Sequence, residues 1–124
     1  MKALKTVVFG ASANSNRYSN KAVNKLKEHG FPVVPIGIKE GSIAGIKILT
    51  GQPEIADVHT ISLYLNPDKQ AGVMAYLLSL NPKRIIFNPG AENEAMELYV
   101  REKGIHAVEN CTLVLLATDQ YESA

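Results

Sequence analysis

Cysteine is almost missing from this chain: Cys111 stands alone among 124 residues. No internal disulfide framework can form, and a lone thiol suits a reducing, cytoplasmic compartment. Long hydrophobic runs are missing too, so no stretch approaches the length of a membrane span. Lys2 and Lys5 are followed by only a short apolar patch ending at Gly10, which predicts no secretory leader. Nor is there an excess of one charge, because thirteen basic residues meet twelve acidic ones and leave a formal +1. That balance excludes the broad cationic face a nucleic-acid binder needs, while leaving room for one local cationic site. His29, His59 and His106 are too far apart for a zinc site. No internal repeat or low-complexity segment interrupts the chain.

What is present has the balance of a globular protein, 46% apolar and 20% charged. Its length predicts one compact domain spanning 1–124. The organising stretch lies near the N-terminus. Thr6 to Phe9 is a short β-branched and aromatic run that Gly10 stops, the pattern of a buried parallel strand. Gly10, Ala11, Ser12 and Ala13 form a small-residue loop that lets a ligand approach the backbone, and Asn14, Ser15 and Asn16 add polar side chains. Arg17 supplies a forked cation. From Ser19 to His29 the apolar residues Ala22, Val23 and Leu26 fall at helical spacing, so the loop opens onto a helix N-terminus, which favours an anion. Strand, small loop and helix together describe a phosphate cradle or an ordinary strand-to-helix turn. The loop is neither G-x-G-x-x-G, since Ser12 and Ser15 occupy the later glycine positions, nor a P-loop.

Further along, Gly30 is a helix stop and Phe31 to Ile38 a second strand interrupted late by Pro35. Glu40 to Pro53, rich in glycine, holds Ile46 and Ile48 and predicts a small edge strand or irregular crossover. Val58 to Leu65 reads as a strand, and Asn66-Pro67-Asp68 opens a helix whose apolar stripe is Val73, Met74, Leu77 and Leu78. Arg84 to Phe87 is a strand ending in Asn88-Pro89-Gly90. Glu92 to Lys103 is a helix closed by Gly104, acidic early and basic late. Ile105 to Val108 makes a last strand, Cys111 to Ala117 a buried turn or short helix, and Asp119 to Ala124 a frayed tail.

Alternating strands and helices predict an α/β fold: a three-layer, Rossmann-like, doubly wound and mostly parallel sheet of about five strands. In the order 3-2-1-4-5, the loops at Gly10 to Ser19, Leu65 to Asp68 and Asn88 to Ala91 border one crevice at the switch point, where such folds take ligands.

Several of these residues carry a resemblance. Val8-Phe9-Gly10-Ala11-Ser12 followed by Arg17-Tyr18-Ser19, the run Leu26 to Pro35, Ile43 to Ile48, Pro89 to Glu94 and Asn110-Cys111-Thr112 resemble the small single-domain CoA-binding proteins. These have a Rossmann-like fold and are related to the CoA-binding domain of succinyl-CoA synthetase α subunits. The resemblance implies coenzyme A or an acyl-CoA as cofactor. Its nucleotide diphosphate would lie across Gly10, Ala11, Ser12 and Asn14 and the helix start at Arg17, Tyr18 and Ser19, with Arg17 pairing with phosphate. Pro35, Ile36, Leu65, Asn66, Asn88, Pro89 and Gly90 would line the rest. This sequence departs from that family at Ile36-Gly37-Ile38, where Asn-Pro is usual, at Leu65-Asn66-Pro67, where an arginine is usual, and at Asn88-Pro89-Gly90, where many relatives carry Gln-x-Gly.

No acid–base pair, activated nucleophile or metal set is visible, so the expectation is a binding module without catalysis. Two rivals remain. An NAD-binding domain would want an acidic residue after the second strand, where Gly37 and Ile38 stand and Glu40 comes late. An acyl-CoA-handling enzyme would use Cys111, although an isolated cysteine before an apolar run is commonly a small buried hydrophobe. The expected partner is a CoA-type small molecule, without nucleic acid or membrane, with a homodimer or a protein partner left open.

Overall fold

The computed structural model describes residues 3–124; Met1 and Lys2, the latter part of the leader argument, lie outside the described residues. Five strands form one parallel sheet: β1 (Thr6–Phe9), β2 (Val33–Ile36), β5 (Thr60–Leu63), β6 (Arg84–Phe87) and β7 (His106–Glu109), in the order β2-β1-β5-β6-β7. Side-chain alternation along the strands builds a core on each face. Val7, Ile61, Ile85 and Phe87 point to the side covered by α3 (Met74–Ser79) and α4 (Glu94–Glu102). Val8 and Ile86 point to the side covered by α1 (Tyr18–Glu28) and α5 (Thr112–Ala117). The α/β doubly wound reading is therefore correct.

The order 3-2-1-4-5 needs one amendment. The third strand is reduced to a hairpin of β3 (Gly41–Ile43) and β4 (Ile46–Ile48), which meets β2 through a single parallel bridge between Ile36 and Leu49. The Gly37 amide donates to the Leu49 carbonyl and the Leu49 amide to the Pro35 carbonyl, both at 2.9 Å. Ala44 and Gly45, both at positive φ, make the two-residue turn of the hairpin. Chain reversal this early leaves too few residues to extend the sheet.

The helix expected after Asn66 is two pieces, α2 (Pro67–Gln70) and α3. Asn66 caps the first by accepting the Asp68 amide at 3.0 Å. Helix α4 begins two residues later than the acidic pattern suggests, because Asn93 accepts the Met96 amide and so becomes the cap. Gly30 and Gly104 close α1 and α4 in the same way: the amide of the residue after each glycine returns to Leu26 and Val100, respectively.

The segment 119–124 is ordered, which corrects the frayed-tail reading. Asp119, at φ 60, closes α5 as glycine closes the other helices, and Tyr121 turns back beneath the sheet at 2% exposure. There its hydroxyl meets Thr6 Oγ1, and its ring packs on Phe31 at 4.9 Å between centroids. The Arg84 guanidinium lies 4.4 Å from that ring and donates to the carbonyls of Tyr121 and Ala124, each at 2.7 Å. Its Nε donates to Thr60 Oγ1 at 2.7 Å. Thr60 Oγ1 also lies within hydrogen-bond distance of His59 Nδ1, at 2.8 Å.

Burial first, then Arg84 and Lys83, hold the His59 pKa below 6.5. A depressed histidine pKa means the unfolded chain binds the proton more readily, so stability is complete above about pH 6.5 and declines as pH falls through the folded-state value. Thermal midpoints measured from pH 8 down to 5 should fall over the acidic part of that range. The decline should be shallower in His59→Gln.

Candidate functional site

In the parallel register Phe9 lies beside Leu63, and Leu63 beside Phe87. The loops after β1, β5 and β6 therefore leave the same edge of the sheet. At Gly10 the backbone takes φ +95, and a Cβ there would sit 2.2 Å from the Tyr64 carbonyl oxygen. Only glycine fits such a crossing.

The loop's hydrogen bonds divide it into a fixed base and an open rim. The amides of Gly10 and Ala11 both donate to the Ile36 carbonyl at 2.9 Å, so these two N–H groups are engaged and hold the loop to β2. Across this junction Gly37 faces Ala11, where a Cβ would come within 2.3 Å of the Ala11 carbonyl oxygen. Asn20 Nδ2 donates to the Ser12 carbonyl at 2.9 Å and fastens the loop to α1. Beyond Ser12 the chain makes two side-chain turns of its own: Ser12 Oγ accepts the Asn14 amide and Asn14 Oδ1 accepts the Asn16 amide. Arg17 stands at the N-cap of α1, exposed, and its side chain makes no capping hydrogen bond. Tyr18 is 69% exposed beside it, whereas Ser19 is buried.

The remaining sequence candidates do different work. Pro35 and Ile36 are buried in β2, and the contribution of Ile36 is its carbonyl. Asn88, fully buried, is a hub: its Nδ2 donates to Ser62 Oγ and the Leu63 carbonyl at 3.0 Å, and its Oδ1 accepts the Thr112 amide at 2.8 Å. Placed there, Asn88 joins β5, β6 and the start of α5 from within. Pro89 and Gly90 are exposed on the rim. Leu65 is half-buried, and Asn66 is exposed but committed to capping α2.

Sequence reasoning passed over four residues that shape this edge. Gln70, with no exposed surface, donates from Nε2 to the carbonyls of Leu65 at 2.9 Å and Ala91 at 2.7 Å, joining two of the bordering loops. Ser62 and Thr112 share a hydroxyl hydrogen bond of 2.7 Å. The buried Tyr64 hydroxyl lies beside both of them, and burial, outweighing their lowering effect, pushes its pKa up to about 12. Ser62 could have been suspected, as a polar residue on the inward side of an otherwise apolar strand. Cys111 is half-buried at the N-cap of α5. Among the described residues no helix is long and apolar enough to cross a membrane.

Fold and loop together define a Rossmann-like domain with an open strand-loop-helix turn at its topological switch point. The chain belongs to the CoA binding domain family, whose sequence model matches residues 5–117. It is similar to a protein known by its crystal structure as an uncharacterized protein, at 43% identity over 97% of this chain and 99% of that one, with a TM-score of 0.93. A Thermus thermophilus structure, cell-free ID.343, superposes with a TM-score of 0.82 at 20% identity, covering 95% of this chain and 90% of that one. The dinucleotide-forming acetyl-coenzyme A synthetase 1 of Ca. Korarchaeum cryptofilum shares the fold, at TM-score 0.68 and 19% identity. There 86% of this chain covers 25% of the larger protein. No curated protein sequence matches the chain.

Proposed function

We propose that residues 1–124 act as one non-catalytic module that binds coenzyme A or an acyl-CoA, with the nucleotide diphosphate at the turn after β1. The observation that carries this is the rim of that turn. Gly10 and Ala11 are tied down, while Asn14, Ser15, Asn16 and the Arg17 side chain are exposed at the start of α1, which has no side-chain cap. Membership of a CoA-binding family supplies the ligand class. The role is to hold or present the cofactor, in a reducing cytoplasm and as a homodimer or beside a protein partner. An N–H-rich helix start next to a forked cation is the complement of a diphosphate.

Isothermal titration with CoA, acetyl-CoA, ADP and NAD tests the reading: heat with the CoA species and none with NAD is expected, and flat traces with CoA and acetyl-CoA overturn it. In Arg17→Ala, CoA affinity should fall about ten- to hundredfold, the effect of removing a charge-assisted pair. Arg17→Lys should restore only part of this, because an ammonium cannot copy the bidentate fork. Equal affinity in wild type and Arg17→Ala would place the phosphates elsewhere.

A further inference from the structure

Helices α1 and α5 cover one face of the sheet, and their inner residues Val23, Leu26, Leu115 and Leu116 belong to a single core cluster. Their outer surface is less ordinary. A groove of about 570 Å³ runs between the two helices, and Leu113, Leu116 and Ala117 form its α5 wall. On the same helix Val114 is 52% exposed. Leu113, Val114 and Ala117 are three and four residues apart, so α5 turns an apolar stripe outward beside the groove. Contiguous exposed hydrocarbon of this kind marks an interaction surface.

The α1 wall says what the surface fits. It presents Lys21, Asn24, Lys25 and Glu28. Lys21 and Glu28 are exposed on one helical face and two turns apart, about 10 Å at a rise of 1.5 Å per residue. Lys25 pairs with Glu28 at 3.1 Å, whereas Lys21 approaches only the Tyr18 ring, 5.7 Å from its centroid, and has no carboxylate partner among the described residues. Asn24 Nδ2 is directed at the Asn20 carbonyl and side-chain oxygens, both at 3.0 Å, which leaves Asn24 Oδ1 as an acceptor. The face is therefore cationic at one end, anionic at the other, and has an acceptor and a donor, Asn24 and Lys25, at its middle.

Such a pattern complements itself when reversed. We infer that the α1–α5 face docks on the same face of a second copy of this chain about a two-fold axis, with the two α1 helices antiparallel. Lys21 then meets the partner copy's Glu28 at both ends, and Lys25 meets the partner copy's Asn24 on either side of the axis. A parallel arrangement would set lysine against lysine and glutamate against glutamate, so charge selects the antiparallel one. The apolar α5 stripes face each other along the flank of this pairing and supply the buried area. A formal net charge of +1 adds little repulsion between copies. The paired stretch ends at Lys21, one turn short of Arg17, so each copy keeps its ligand loop accessible. The inference rests on the proposed function only in choosing the second copy over a protein partner, and it does not use the ligand.

Sedimentation equilibrium of the ligand-free protein from about 1 to 100 μM, the span of ordinary dimer dissociation constants, should show twice the monomer mass at the upper end. Val114 is exposed, so Val114→Glu leaves the core intact, and it should weaken the dimer about hundredfold by burying a carboxylate at the seam. Lys21→Glu should weaken it about tenfold, and adding Glu28→Lys should restore it to within about threefold, because the exchange rebuilds the pair with the charges reversed. A wild-type monomer throughout the range, a dimer indifferent to Val114→Glu, or a charge exchange that restores nothing overturns the inference. Coenzyme A titrations keep the proposed function separate: a monomer that binds CoA overturns the interface alone, and a dimer that meets every expectation above but binds no CoA overturns the ligand alone.

Discussion

Replacing Arg84 with alanine should lower the folding free energy by about 3–5 kcal/mol, the range for truncating a large, fully buried side chain. On a domain of this size that is a fall of roughly 10–20 °C in thermal midpoint. The cost has three sources. Arg84 is 2% exposed, so removing its stem leaves a cavity beneath Tyr121. Its loss strips donors from the carbonyls of Tyr121 and Ala124 and from Thr60 Oγ1, and each acceptor left unsatisfied adds a penalty of about 1–3 kcal/mol when still buried. The segment 119–124 also loses what holds it under the sheet. One term acts the other way: Arg84 Nη2 is buried without a partner, so the native guanidinium is itself incompletely compensated. Arg84→Met keeps much of the volume and removes the charge, and should cost less than alanine. Urea unfolding of both variants measures this, and a loss below about 1 kcal/mol in Arg84→Ala would mean the segment docks through Tyr121 alone.

The second large effect is expected at Gly10. Gly10→Ala places a methyl 2.2 Å from the Tyr64 carbonyl oxygen and imposes φ +95 on a residue with a side chain. Strain and overpacking together should cost about 2–5 kcal/mol. The relieving movement pushes the base of the ligand loop away from Tyr64 and from the Ile36 carbonyl that anchors it, so CoA affinity should fall with stability. Gly37→Ala attacks the same junction from the other side, through the Ala11 carbonyl oxygen at 2.3 Å. Gly90→Ala is the control. It shares a positive φ of 93 but meets nothing within 4 Å, so only the backbone cost of about 1–2 kcal/mol applies. Comparable losses in Gly10→Ala and Gly90→Ala would show that crowding at Tyr64 contributes nothing.

Local patterns explain why the architecture could be read in advance. Val7 and Val8 in a continuous apolar run, Ala22, Val23 and Leu26 at helical spacing, and Gly30 and Gly104 at helix ends are all signals carried within a few residues. The structure agrees with each of them. The same logic misread segment 119–124, where polar composition outweighed one tyrosine whose partners, Thr6 and Arg84, are 115 and 37 residues away. It also missed what Asn88 holds together. An Asn-Pro-Gly run is a turn signal, and nothing near it in sequence announces Ser62 or Thr112 as partners.

The sequence by itself determined the succession of strands and helices, the small-residue loop after the first strand and Arg17 at the following helix start, because spacing and backbone preference are local properties. Only the tertiary structure decided which groups of that loop stay free. The Gly10 and Ala11 amides are taken by Ile36, Asn88 is drawn inside, and the open groove falls between α1 and α5. Hydrogen-bond satisfaction is settled between segments that are distant in the chain and adjacent only once the sheet has formed.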